Sequence, residues 1–228
     1  MKVCCLFDLD GTLIDPKVGI TKSVQYALSS FGIDVKDLDE LKHFIGPPLY
    51  DSFRDLYGFN ETEVEIAVRK YREYYSNEGI FECYLYDGIN KMLSQLMKDN
   101  IMMAIATSKP TVFAEKIAGY IRIIDYFESI VGSELDGSRS RKSEIIDYAL
   151  NIIDPKRNMY TIMVGDRKHD IIGAYETGVE SIGVTWGYGS RVELELSKAT
   201  GIADTPDELL QMITKKSVGE SKWKKLSQ

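Results

Sequence analysis

Long apolar runs are missing from this sequence. No stretch approaches the ~18 apolar residues of a membrane span, and Asp8 breaks the N-terminal apolar run too early for a signal peptide. An excess of basic charge is missing as well: Lys and Arg number 28 against 35 Asp and Glu, a net charge of −7. A nucleic-acid binder usually carries a basic domain, so neither a nucleic acid polymer nor a membrane is expected as a partner. The acidity does not exclude a phosphorylated ligand, because local donors and a metal ion can reverse the sign within a cleft. Cysteine is scarce. Cys4, Cys5 and Cys83 form no CxxC pair, and an odd, sparse count suits a reducing cytoplasm better than a disulfide scaffold. The two histidines, His43 and His169, are isolated, and nothing pairs either with a nucleophile. Internal repeats and low-complexity segments are absent. What remains, 228 residues with 44% hydrophobic and 28% charged, is the composition of a globular protein able to bury one large core or two smaller ones.

The first ten or so residues hold the most chemistry. Val3 to Phe7 reads as a fully buried strand, and Asp8-Leu9-Asp10-Gly11-Thr12 follows at once. Strand side chains alternate, so Asp8 and Asp10 point one way and Leu9 the other. Two like charges at a buried strand end raise each other's pKa unless a cation neutralises them, and folding requires no such arrangement. The alternative is a solvated strand end whose Asp and Gly only make the turn.

From Asp15 to about Asn77 the pattern is helical. Ile20, Val24, Ala27, Leu28 and Phe31 share a helix face that Gly32 ends, and Asn60 with Glu63 has capping-box spacing before Val64, Ala67, Val68 and Tyr71. Phe44-Ile45-Gly46-Pro47-Pro48-Leu49 is a stiff turn whose prolines suit a first helical turn. After Gly88 helix alternates with strand. Apolar strands at Ile101–Ala106, Ser129–Val131, Met159–Val164 and Ser181–Thr185 end respectively in Thr107-Ser108-Lys109-Pro110, a polar loop, Gly165-Asp166-Arg167-Lys168-His169-Asp170 and Trp186-Gly187-Tyr188-Gly189. This alternation predicts an α/β fold with a doubly wound parallel-sheet (Rossmann-like) core, its function outside the carboxyl ends of the strands. The expected organisation is a core of residues 1–15 and 85–214, an inserted helical cap of 16–84 over the same edge, and a disordered basic tail of 215–228. Trp223 is the one tail residue that could dock back.

In that order Asp8-Leu9-Asp10-Gly11-Thr12, Thr107 after an apolar strand, Lys142 opening a helix and Gly165-Asp166-x-x-x-Asp170 resemble the four motifs of the haloacid dehalogenase superfamily in its phosphatase branch. The helical insertion resembles that family's cap. Phe44 to Leu49 and the Ala-Thr-Ser-Lys-Pro run are similar to the phosphoglycolate-phosphatase-like and 5′-nucleotidase-like subgroup. The resemblance implies a Mg²⁺-dependent hydrolase of small phosphorylated metabolites that works through an aspartyl-phosphate, and the cysteine usage a cytoplasmic setting. Asp8 would be the nucleophile, and Asp10 would protonate the leaving alcohol and later deprotonate the attacking water. Mg²⁺ would be held by Asp8, the Asp10 carbonyl and Asp166, with Asp170 beside it directly or through water. Thr107, Ser108 and Lys142 would bind the phosphoryl oxygens.

Alternatives stay open at several positions. Thr107 and Ser108 could simply cap the helix that follows, and Lys109 competes with Lys142 for the phosphate. In the cap, Phe44, Gly46, Pro47 and Leu49 either touch the substrate's leaving group or pack the helices. Gly187 and Gly189 read as a tight exit turn. A second aspartate at Asp10 disfavours carbon–halogen chemistry. A β-phosphoglucomutase-like phosphotransferase and a non-catalytic phospho-ligand-binding module remain the competing functions. Against the mutase, Asp15 to Ile20 offers no histidine.

Overall fold

The computed structural model describes residues 2–223, and side chains as far as Lys216. The chain divides into two compact units. One combines the chain up to Leu13 with the chain from Leu85 onward, and the other is Ile14–Tyr84. In chain order the elements begin with β1 (Val3–Phe7), β2 (Ile14–Asp15), α1 (Lys17–Ser29), α2 (Leu49–Tyr57), α3 (Glu61–Tyr75) and β3 (Tyr84–Leu85). There follow α4 (Ile89–Lys98), β4 (Met102–Pro110), α5 (Thr111–Tyr120), β5 (Ser129–Ser133) and α6 (Lys142–Ile153). The chain closes with β6 (Tyr160–Gly165), α7 (Lys168–Glu176), β7 (Glu180–Val184), α8 (Arg191–Leu196), β8 (Gly201–Ala203) and α9 (Pro206–Trp223).

The first unit is built on a six-stranded sheet in the order β5-β4-β1-β6-β7-β8. Every pairing in it is parallel. The chain winds one way from β1 through β4 to β5, then crosses back over β1 to wind the other way, so the switch of direction falls beside β1. In sheets of this kind the crevice outside the strands' carboxyl ends at that switch is where ligands bind. Register sets what lies there. Phe7 is opposite Ile105 on one side and Val164 on the other, so the residues just after Phe7, Ile105 and Val164 gather at one edge.

β1 is buried along its whole length. Cys4 and Leu6 share one face with Ala104, Met163, Ile146 and Ala149, as the period of two requires. Burial pushes the Cys4 thiol up to about 12, with Asp154 adding to it, so it serves as a small apolar side chain. No helix among the described residues is long and apolar enough to cross a membrane.

The second unit packs α1 against α3 around its own core. The spacing-based expectation for α3 is met in detail: the Asn60 side chain accepts from Glu63 N at 3.1 Å and the Glu63 carboxylate from Asn60 N at 2.9 Å. Gly32 follows α1 with φ +74°. The prolines fall slightly earlier than expected, with Pro48 preceding α2 and Leu49 its first residue.

Differences gather at the C-terminal end. α8, β8 and α9 have weak periodicity in the sequence and were not anticipated by it. The tail expected from residue 215 overlaps α9, which runs to Trp223. Lys216 donates to the Tyr160 hydroxyl at 3.0 Å and pairs with Glu180, tying α9 to β6 and β7. Residues 224–228 and the Trp223 side chain lie outside the described residues.

Replacing Asn60 by alanine removes half of the α3 cap, and urea unfolding should then need about 1 kcal/mol less. A loss below about 0.3 kcal/mol would show that the cap contributes nothing beyond solvation.

Candidate active site

β1 delivers Asp8 to the sheet edge, where its N–H still donates to Val164 O at 2.8 Å. The chain then turns. Thr12 N and Leu13 N both donate to Leu9 O, and Gly11 sits at φ +81°, a conformation that strains other residues. Gly11 has a second reason to be glycine: a Cβ there would fall 2.3 Å from Asp166 Oδ2. Gly187 has ordinary backbone angles, yet its Cβ would lie 2.2 Å from Gly11 O and 2.4 Å from Asp166 Oδ2. Its role is close approach of the backbone to Asp166, not the freedom of an exit turn.

β4 contributes through an irregularity. Ala106 pairs with Val131 but Pro110 with Ser133, so four steps along β4 match two along β5. Such bulges re-aim side chains beside functional sites. Thr107 and Lys109 are buried while Ser108 is half-exposed. Thr107 stands two residues beyond the register partner of Phe7, across from the Asp8–Asp10 turn. Its hydroxyl accepts from Lys109 N at 3.3 Å. The Lys109 ammonium reaches Asp10 Oδ2 at 2.8 Å. Pro110 precedes α5 without any side-chain cap, so Thr107 and Ser108 do not cap that helix.

Lys142 opens α6, and its side chain is 4% exposed. The ammonium lies 2.9 Å from Asp8 Oδ1 and 2.7 Å from Asp170 Oδ1, and donates to Ala106 O at 3.1 Å. Burial opposes its charge, but Asp170 and Asp8 outweigh that and raise its pKa, so it stays protonated. Past β6, Asp166 Oδ2 accepts from Tyr188 N at 2.7 Å, and Asp170 Oδ2 accepts from Arg167 N at 3.0 Å in the first turn of α7.

Asp8, Asp166 and Asp170 are all buried, with carboxylate oxygens within 4.8 Å of one another. Burial first, then the charges of Asp170 and Asp8, push Asp166 up to about 8. Burial also raises Asp170, with Lys142 opposing and Asp8 assisting. Asp10 is raised by burial, with Lys109 opposing. Asp8 Oδ1 and Asp170 Oδ1 face the Lys142 ammonium as ion pairs, and Asp10 Oδ1 is buried with no hydrogen-bond partner among the described residues. Unsatisfied buried carboxylate oxygens are costly. An all-oxygen, anionic donor set is what hard divalent cations take, so these residues fit one.

The sequence-derived candidates thus separate. Asp8, Asp10, Thr107, Lys142, Asp166 and Asp170 meet at one edge of the first unit. Phe44, Gly46, Pro47 and Leu49 belong to the second. There Phe44 is buried, its ring centroid 4.9 Å from Phe53 and 6.0 Å from Tyr57. Gly46 is exposed, and Pro47 and Leu49 are half-exposed. The pairing of Lys109 with Asp10 was not anticipated, though the alternation of Thr107 and Lys109 carries its signal. Thr12 joins the site as well: its hydroxyl donates to Asp166 Oδ1 at 3.5 Å and its carbonyl accepts from Trp186 Nε1 at 3.0 Å.

A model of the family described as haloacid dehalogenase-like hydrolase matches residues 5–184. The chain is similar to a 5′-nucleotidase of Pseudomonas aeruginosa, 46% identical over 195 residues covering 86% of this chain and 88% of that protein. It is also similar to the tyrosine-protein kinase PtkA of Mycobacterium tuberculosis, 37% identical over 210 residues covering 91% of this chain and 71% of that protein. Among solved structures, a predicted phosphatase from Clostridium acetobutylicum superposes with a TM-score of 0.89 at 45% identity, over 94% of this chain and 98% of that one.

An aspartate whose pKa is raised by folding binds more protons folded than unfolded between its two values, so stability falls as pH rises through that window. For Asp166 the window runs from the ordinary 3.8 to about 8. A divalent cation should therefore raise the melting temperature more at about pH 8 than at about pH 5, where it must displace protons. Scanning calorimetry with Mg²⁺ or Ca²⁺ against a chelator measures this. Equal gains at both pH values would contradict the site.

Proposed function

The chain belongs to the haloacid dehalogenase-like hydrolases and is a hydrolase of phosphomonoesters, and from that premise we propose that it acts on small metabolites, nucleoside 5′-monophosphates first among them, through an aspartyl-phosphate on Asp8. The observation that carries the reading is the division of two neighbouring carboxylates between two lysines, Asp8 facing Lys142 and Asp10 facing Lys109. Aspartates so divided can do different work. The 46% identity to a 5′-nucleotidase supports the substrate class. The unbridged cysteines support a cytoplasmic setting.

Asp8 attacks phosphorus, and the ester bond breaks as Asp10 gives its proton to the departing oxygen. Asp10, now a carboxylate, takes a proton from water, which attacks the phosphorus of the acyl phosphate. Inorganic phosphate leaves and Asp8 is restored. Lys142 and the Thr107 hydroxyl hold the equatorial oxygens, where charge spreads in the transition state. Mg²⁺, held by Asp8, Asp166, Asp170 and the Asp10 carbonyl, would supply the positive charge that lets a carboxylate approach an anionic phosphate. Asp166 and Asp170 are anchored by backbone donors, which keeps their remaining oxygens aimed inward. Substrate choice is assigned to the second unit's turn, through Gly46, Pro47 and Leu49, the residues its core does not absorb.

Likeness to a tyrosine-protein kinase favours a second reading, phosphoryl transfer to an acceptor other than water. The fate of phosphorus separates the two.

With p-nitrophenyl phosphate and Mg²⁺, Asp8→Asn should reduce phosphate release to background, and Asp10→Asn should lower it by about 10²–10⁴-fold. Activity surviving in Asp8→Asn would remove the nucleophile. In a screen of phosphorylated metabolites, nucleoside monophosphates should rank first, with label recovered as inorganic phosphate. Leu49→Ala should reorder the ranking, and an unchanged order would make the turn structural.

A further inference from the structure

The acid and base steps given to Asp10 leave its buried partner, Lys109, without a task. The two side chains are 6% and 13% exposed and 2.8 Å apart. A lysine is costly to bury unless a carboxylate faces it, so this pair is specified by its surroundings. The slip of β4 against β5 between Ala106 and Pro110 brings Lys109 to the edge. Its N–H is spent on the Thr107 hydroxyl at 3.3 Å. Its carbonyl lies against β5 so closely that a Cβ on Gly132 would come within 2.1 Å of it. The backbone of Lys109 is therefore fixed on both sides. At the other end of the pair, Asp10 has one oxygen engaged, while Oδ1 is buried with no hydrogen-bond partner among the described residues.

We propose that Lys109 is the positioning residue of Asp10: it grips Oδ2, locks the carboxyl group's orientation and leaves Oδ1 to face the leaving oxygen. It is not a ligand of the phosphate. This rests on the reading of Asp10 as proton donor. As the P–O ester bond breaks, its electron pair stays with the departing oxygen, which takes the Asp10 proton. The carboxylate left behind is balanced by the ammonium already beside it.

Leaving-group dependence tests this. Nitrophenolate departs without a proton, whereas an alkoxide does not. First-turnover release from p-nitrophenyl phosphate and from glycerol 2-phosphate should be compared in wild type, Lys109→Met, Lys109→Arg and Asp10→Asn. In Lys109→Met the ratio of alkyl to nitrophenyl rate should fall about 100-fold, and Lys109→Arg should recover most of it. If Lys109→Met does not fold, as judged by thermal melting, Lys109→Gln takes its place with the same expectation. An unchanged ratio, or a parallel loss on both esters with raised KM, overturns the proposal and makes Lys109 structural or a phosphate ligand. An unchanged ratio in Asp10→Asn, by contrast, overturns the reading of Asp10 itself, and Lys109's role with it.

Discussion

Carboxylates crowded into one buried edge repel each other, and much of the first unit's architecture answers that repulsion. Asp8, Asp166 and Asp170 lie with oxygens within 4.8 Å, and Asp10 is two residues from Asp8. At an effective dielectric near 20, unit charges about 4 Å apart repel by roughly 4 kcal/mol, a large share of a domain's net stability. Two buried lysines offset it. Lys142 reaches Asp8 and Asp170 from the first residue of α6, and Lys109 reaches Asp10 from the irregular end of β4. Asp166 has no lysine at ion-pair distance among the described residues, and burial with the charges of Asp170 and Asp8 pushes it up to about 8. A divalent cation among these oxygens would complete the balance.

Each structural device follows from that need. Parallel register sets Phe7 against Ile105 and Val164, so Asp8 comes level with the segments that carry Thr107 and Asp166. The β4 slip turns Lys109 inward. Gly11 and Gly187 remove the Cβ atoms that would collide with Asp166. Backbone N–H groups of Tyr188 and Arg167 each occupy one oxygen of Asp166 and Asp170. The edge is thus preorganised, which is most of what phosphoryl transfer asks of a protein.

Much of this could be read from residues alone, for a physical reason. β1, β4, β6 and β7 are buried on both faces and appear as apolar runs that end where polar residues begin, so the strand ends and their aspartates were visible together. The Asn60–Glu63 cap was visible because capping is local. What escaped was set by tertiary contact. The alternation of Thr107 and Lys109 puts both on one side, but the partner, Asp10, is set only by the packing of β4 beside β1. Gly187 looked like a turn because close approach by a distant Asp166 leaves no local trace. The two readings of Phe44 stayed open because its partners, Phe53 and Tyr57, are fixed only when α2 packs. α9 reads as a charged tail until Lys216 finds Glu180 and Tyr160.

The central claim is that Asp8 carries the phosphoryl group while Asp10 moves the proton. Asp10→Asn mixed with labelled p-nitrophenyl phosphate and Mg²⁺ tests it most directly, because this substrate needs no acid to form the intermediate but its hydrolysis needs the base. Acid quench and peptide mapping should find phosphate on Asp8, in step with the nitrophenolate released. Label on any other residue, or nitrophenolate released with no covalent phosphate on the protein, would contradict the account.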